Sequence, residues 1–269
     1  MEYEQPIIMD YQPLLHIPAY ILVIPYFLLL LLFNWLGFIY RRYQNKKYPD
    51  AASLGLGTAE GSVLGLMALL LSFSFGISAS KYDGRRTVII QEANNIGTTI
   101  LRCDLYPDSA RKLFRNDLKN YLEARIAYYD AGDNDELIQR SLRDADSISL
   151  SCWKRATELS RNPSNFAATM QMVPALNAMI DIVSTRDAGR KAVFPRLILI
   201  ILLILTLLSS FLAGYGNKNH ERKKVLVFSF ALMTALTMYL VIDLDRPRQG
   251  MINLNKAEEY ITKLRSNFQ

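Results

Sequence analysis

An all-α membrane protein is the fold class the sequence predicts: four transmembrane helices with a helical extramembrane domain between the second and the third. Three observations predict it. Apolar residues make up 51% of the 269-residue chain and bunch into four long runs. The charged 21% gathers between those runs. The polar segments keep helical spacing, with no period-2 run of useful length and no internal repeat.

The four runs are Ile17–Tyr40, Leu54–Ala79, Val193–Tyr215 and Val225–Leu244. A run of about 18 or more apolar residues is long enough to cross the hydrocarbon of a bilayer. The third run contains Arg196, which would cost roughly 2.5–3.5 kcal/mol at mid-membrane. Each Leu, Ile or Phe returns about 0.3–0.6 kcal/mol, and Arg196 lies at the edge, where it can snorkel, so insertion wins. The leader before the first run, MEYEQPIIMDYQPLLH, is acidic and lacks the basic start of a signal peptide.

These runs divide the chain into five parts. Residues 1–53 hold an N-terminal tail, the first span and a short basic loop; 54–79 hold the second span. Residues 80–192 form the helical extramembrane domain, 193–244 the third and fourth spans, and 245–269 a C-terminal tail. Within the domain, helical spacing runs through Arg85–Leu105, and YPDSA breaks it with Asp108 or Ser109 as N-cap. The next helix places Leu113, Phe114, Leu118, Tyr121, Leu122, Arg125 and Ile126 on an amphipathic face. DAGDND is a loop, RNPSN a second break, and Pro174 a kink in the helix that leads to the third span.

Several function classes are excluded or disfavoured. The net charge of +6 is explained by basic residues flanking the spans, and no basic-aromatic motif points to nucleic acid. Cys103 and Cys152 offer neither metal-ligand spacing nor a disulfide framework, and His16 and His220 are the only histidines. No phosphate-cradling glycine loop, nucleophile elbow or HExxH occurs, so neither an enzyme nor a cofactor or metal is expected. The short loops carry Arg41, Arg42, Lys46 and Lys47, and Lys218, Arg222, Lys223 and Lys224. By the positive-inside rule they are cytoplasmic and the helical domain lies outside. Lys81, Arg85, Arg86, Arg190 and Lys191 at the domain's own membrane ends weaken that bias.

The second span is unusual. Gly57, Gly61, Gly65, Ala68, Ser72, Gly76 and Ser80 recur every three or four residues as a stripe of small side chains. Such a stripe admits close helix contact in lipid, either among the chain's own four spans or around an oligomer axis that encloses a path. Glu60 is an ionisable residue near the end of that span, a functional candidate or an interfacial carboxylate wetted by water. Leu66, Leu69, Phe73 and Phe75 supply apolar bulk, either for an ion gate that works by dewetting or for lipid contact. Beyond the membrane, Glu92, Asn95, Thr99 and Arg102 share one helical face that lines a vestibule, bonds a neighbouring helix or is solvated. Asn177, Asp181 and Arg186 are candidate partners for it, and Asp243, Asp245, Arg246 and Arg248 form a cluster that locks the last span's end.

Four stretches carry a resemblance: SKYDGRR, QEANNIGTTILR, PALNAMID with the downstream Arg186, and DLDRPRQG after the last span. Together, from about Gly55 to Gly250, they resemble the bestrophin-like family of bacterial membrane proteins. The matching positions are Tyr82, Asp83, Arg85, Glu92, Ala93, Gly97, Arg102, Asn177, Asp181, Arg186, Asp243, Asp245, Arg246, Pro247 and Gly250. True bestrophins are pentameric anion channels whose pore helix leaves the membrane and enters a cytoplasmic helical domain. The resemblance therefore implies a homo-oligomer, with a pentamer as its form, small inorganic anions as partners and the bacterial inner membrane as location. It puts the helical domain on the cytoplasmic side, opposite to the short-loop charges. The tryptophan pair expected at the pore exit is absent here, as is a clear acidic calcium clasp.

An ion channel with the second span along its path is the function this predicts. Glu60, Leu66, Leu69, Ser72, Phe73 and Gly76 are the candidate lining residues, and Lys81, Arg85 and Arg86 would concentrate anions at the exit. The alternative is a non-conducting signalling or scaffold protein whose helical domain binds a partner. An unbroken helix over Gly57–Arg102 would reach about 70 Å, against about 30 Å of hydrocarbon.

Overall fold

The computed structural model describes residues 18–47, 57–216, 224–246, 248 and 250–268. Its elements are α1 (Ala19–Lys47), α2 (Gly57–Arg102), α3 (Asp108–Asp130), α4 (Asp135–Leu159), α5 (Phe166–Lys191), α6 (Arg196–Tyr215), α7 (Lys224–Leu244) and α8 (Asn255–Thr262). Short 3₁₀ turns cover Cys103–Leu105, Pro163–Asn165 and Lys263–Phe268, and no strand occurs among the described residues. Four helical stretches are long and apolar enough to cross a membrane: Ala19–Lys47, Glu60–Leu105, Pro163–Tyr215 and Lys224–Leu244. The described chain separates into two compact units. One holds the residues up to Ala79 with Phe194–Ile252; the other holds Ser80–Val193 with the residues from Asn253 on.

In the membrane unit, α1 and α6 meet along small and hydroxyl-bearing residues. A Cβ on Gly37 would lie 2.0 Å from the Phe211 carbonyl oxygen, and one on Gly214 would lie 2.0 Å from that of Asn34. Backbones this close leave room for nothing larger than glycine. Polar bonds add to the seam. Tyr26 donates to Thr206 Oγ1 at 2.7 Å, Asn34 to the Ser210 carbonyl at 3.1 Å, and Ser210 to the Leu30 carbonyl at 2.7 Å. Lipid offers helices no hydrophobic drive to associate, so close contact and interhelical hydrogen bonds hold them. The Phe27 and Phe228 rings meet edge-on at 5.5 Å between α1 and α7. Met67 and Leu71 bring α2 into the same core as Leu30, Leu202, Ala235 and Met238.

In the second unit α3 and α4 form a hairpin. Gly132 supplies its one left-handed residue, with φ 55°, and Asn134 caps α4 by accepting from the Leu137 amide at 3.1 Å. Asn162 likewise caps the turn that opens at Pro163. The cap of α3 differs from expectation. Asp108 is the first helical residue and Pro107 precedes it, so the start is set by Pro107, which holds Tyr106 extended. α5 runs through Pro174 to Lys191.

The C-terminal segment is a larger departure. Residues 245–269 were expected to be a tail, yet Leu254, Ala257 and Ile261 are buried with Phe114, Leu122 and Met179 in the core of the helical unit. Their i, i+3, i+7 spacing gives α8 one apolar face, and burying it stabilises the segment.

Candidate functional site: two faces of α2

α2 has one face packed by its own chain and one left bare. In the membrane unit Met67, Leu71, Ser74 and Ser78 are buried. Leu66, Leu69, Ser72, Phe73, Phe75 and Gly76 are exposed, and Phe73 is 60% accessible. The small-residue stripe lies on the exposed side. Gly61, Gly65 and Gly76 would each place a Cβ in open space, and Ala68, Ser72 and Ser80 are exposed as well. Of the two packings the stripe allowed, contact with the chain's own spans is therefore not the one found. Gly84, farther along, is equally bare, and Thr87, Gln91, Asn94 and Thr98 continue an exposed, uncharged polar row.

Glu60 corrects an expectation. Seven residues before Met67, it shares the packed face, and its carboxylate lies against Gly216 at the end of α6. It is half-buried in the chain's own wall rather than on the bare face with Leu66 and Phe73.

Beyond the membrane the packed face becomes ionic. Glu92 is fully buried and accepts from Arg125 Nε at 2.5 Å and from Arg186 Nη1 at 2.6 Å. Arg186 also pairs with Glu258 of α8. The Tyr128 ring lies beneath both guanidiniums, 4.6 Å from Arg125 and 5.0 Å from Arg186. Two carboxylates and two guanidiniums cancel, which is how four charges persist in a dry core. Burial by itself would raise the Glu92 carboxyl, but Arg186 and Arg125 outweigh it and hold the group below its ordinary value. Burial likewise disfavours charge on Arg186, and the two carboxylates reverse that, so it stays protonated. Among the described residues Arg125 hydrogen-bonds through Nε alone; Nη1 and Nη2 find no hydrogen-bond partner there, and the guanidinium lies over the Tyr128 ring.

The row Glu92, Asn95, Thr99 and Arg102 is thus directed at helix α5 and not at a vestibule. Asn95 donates to the Ala178 carbonyl at 2.8 Å, Thr99 to that of Ala175 at 3.3 Å, and Arg102 to that of Gln171. The physical reason is that Glu92 and Thr99 share a face with Ile89, Ile96 and Ile100, which the core claims. Of the expected partners only Arg186 binds the row; Asn177 and Asp181 are exposed on α5. Arg125 and Glu258 were not foreseen as partners. Each occupies a core slot of an amphipathic helix, and a charge in such a slot signals a buried counter-charge.

Lys81 and Arg85 also depart from their expected role at an exit. Lys81 donates to the Val193 carbonyl at 2.8 Å, and Arg85 to the carbonyls of Gly189 at 3.0 Å and Ala192 at 2.8 Å. Those groups cap the end of α5, where exposed carbonyls attract cations. Arg86 remains half-exposed, 3.8 Å from Asp83. Tyr82 donates to the Asn253 carbonyl at 3.0 Å. At the end of α7, Asp243 is buried and accepts from the amides of Met251 at 3.1 Å and Ile252 at 2.9 Å. Asp245 accepts from the Phe194 amide at 2.8 Å. The carboxylates thus bind backbone amides, with Arg246 inside their electrostatic reach. Asp243 leaves so little room at Gly250 that a Cβ there would fall 2.8 Å from its oxygens. Arg248 sits in the same turn.

Cys103 and Cys152 are free and buried, and burial pushes both thiols up to about 12. No group of His, Cys, Asp and Glu among the described residues could hold a metal ion.

Four apolar crossings, an all-helical second unit and a long helix shared between the two units define a multi-span α-helical membrane protein. The chain belongs to the bestrophin-like family: a model of the bestrophin-like domain matches residues 31–258. Its fold is that of solved bacterial relatives. Two variant structures of a bacterial bestrophin homolog from Klebsiella pneumoniae superpose with TM-scores of 0.72 and 0.71, each at 13% identity. They cover 94% and 92% of this chain and 100% and 99% of theirs. A further structure, described as a membrane protein, gives a TM-score of 0.63 at 13% identity over 89% of this chain and 98% of its own. No curated protein matches the sequence.

Proposed function

We propose that the protein is one subunit of a homo-oligomeric ion channel of the bacterial inner membrane, with the bare face of α2 along the conduction path. One observation carries the reading: Gly61, Gly65, Leu66, Leu69, Phe73 and Gly76 are left uncovered by the subunit's own spans on a helix that does not stop at the membrane boundary. Copies of α2 around an axis would cover that face. Leu66, Leu69 and Phe73 would form a constriction that dewets when narrow, and the glycines would let neighbouring helices approach. Five copies are the number that analogy with bestrophins suggests.

Small inorganic anions are the permeant class we assign, with weak discrimination. The polar row Thr87, Gln91, Asn94 and Thr98 is uncharged, and Arg86 is the one exit cation of the expected three that is not held by backbone carbonyls. Asp83 offsets it at 3.8 Å. The same analogy favours the cytoplasm for the helical unit, and cysteine labelling in the DAGDND loop from each side of the membrane tests this.

The decisive measurement is ion flux in liposomes containing well-folded oligomer, followed by reversal potentials under a salt gradient. Flux that rises when Phe73 is replaced by serine supports the reading. Absence of flux, or a lone subunit in solution, overturns it in favour of a scaffold. A reversal potential on the cation side overturns the anion assignment alone.

A further inference from the structure

We propose that the groove between α1 and α7 is a binding site for an anionic phospholipid. The groove has a volume of about 490 Å³ and is lined by Leu31, Trp35, Lys224, Val225, Val227 and Phe228. Five of these side chains are apolar or aromatic, and the sixth is a cation at one end. Val225 is 81% accessible and Phe228 52%, so the groove opens sideways from the helices. Both helices cross the membrane, so the groove faces hydrocarbon, where an acyl chain fills it and water cannot.

The depth of the cation names the headgroup. Phe27 meets Phe228, while Trp35 shares the groove with Lys224, so ascending α1 means descending α7. The two helices are antiparallel, and the C-terminal end of α1 lies beside the N-terminal end of α7. Lys224 is the first residue of α7, at the headgroup level that tryptophans such as Trp35 also prefer. It has no carboxylate partner among the described residues, and it is exposed. Arg42, Lys46 and Lys47 are exposed on the same end of α1 and contribute further positive charge at that level. An apolar slot capped by an exposed ammonium at headgroup depth is complementary to one acyl chain and a phosphate with no compensating charge. A zwitterionic lipid would bring its own cation to the same spot and be disfavoured.

The test uses the full-length protein reconstituted in vesicles of phosphatidylglycerol and phosphatidylcholine at equal content, then re-extracted in mild detergent. Co-purifying lipid is counted by mass spectrometry. The wild type retains phosphatidylglycerol over phosphatidylcholine by about fivefold, the preference expected for one basic residue near the surface. Lys224→Gln brings the ratio close to one, and Lys224→Arg keeps it. Val225→Trp, which fills the slot, lowers retention of both lipids. Each variant is compared at an elution volume equal to that of wild type. Equal retention of the two lipids by wild type, or an unchanged ratio in Lys224→Gln, overturns the proposal. Cross-linking of Trp35→Cys between copies of the chain also overturns it, because the groove would then be covered by a second subunit.

Discussion

Two rows of small residues cross the membrane unit, and their glycines face opposite surroundings. Gly37 and Gly214 are pressed against backbone carbonyls of the facing helix, whereas Gly61, Gly65 and Gly76 face nothing in their own chain. The two look alike in sequence, since Thr206, Ser210 and Gly214 recur every four residues on α6 much as Gly61, Gly65 and Gly76 recur at helical intervals on α2. The difference teaches that a glycine stripe records a capacity for close contact and not the identity of the partner. The first row is used inside the subunit; the second is free for use outside it. The same split continues along α2, where Glu92 is locked in the core while Gln91 and Asn94 beside it are exposed.

The largest effect should come from the packed face. Glu92→Gln leaves Arg125 and Arg186 short of a counter-charge and should cost about 3–5 kcal/mol, the usual penalty for breaking a buried pair from one side. Chemical unfolding monitored by circular dichroism would measure it; a loss under 1 kcal/mol would mean that water reaches the site. Next is Gly214→Val, whose added carbons must push Asn34 and α1 aside. A loss of about 1–3 kcal/mol is expected, read as a lower unfolding midpoint in detergent. Acid should act through the same network. The Glu92 carboxyl is held below its ordinary value of 4.5, so its contribution is complete above that pH and is lost as pH falls through the lowered folded value. The Glu92→Gln variant should lose this part of the acid sensitivity. The smallest effect belongs to the bare row. Gly65→Ala should leave the subunit's stability unchanged or raise it by up to about 1 kcal/mol, because alanine favours the helix and meets no neighbour. Oligomer stability and flux should change instead; if subunit stability fell by several kcal/mol, the row would not be bare.

The spans were legible because lipid demands long apolar runs, and that demand leaves a strong mark at every position. The hairpin loop DAGDND and the RNPSN break were legible because Asn134, Asn162 and Gly132 serve local backbone geometry. What stayed hidden depends on residues distant in sequence. Nothing near Glu92 reveals whether a partner 33 or 94 residues away will bury it. The sequence left Glu60 open between a lining and an interfacial role, because its spacing to Met67, and not its charge, decides the face it shares. Lys81 and Arg85 were expected to concentrate anions at the exit, although helix-end carbonyls compete for the same groups. The C-terminal residues looked like a tail because α8 is short and mostly polar, and its three apolar positions have meaning only against α3 and α5.

Glu258 of α8 reaches back to Arg186, across an interval in which two spans are translated. All four hydrophobic segments must leave the ribosome, and be handled by the insertion machinery, before this pair can form. The second carboxylate of Arg186 and the cover over the apolar surface that receives Ile261 therefore arrive after the spans. Maturation of the helical unit is on this account a post-insertion event, and a nascent chain halted within α7 would present an open core to chaperones and proteases.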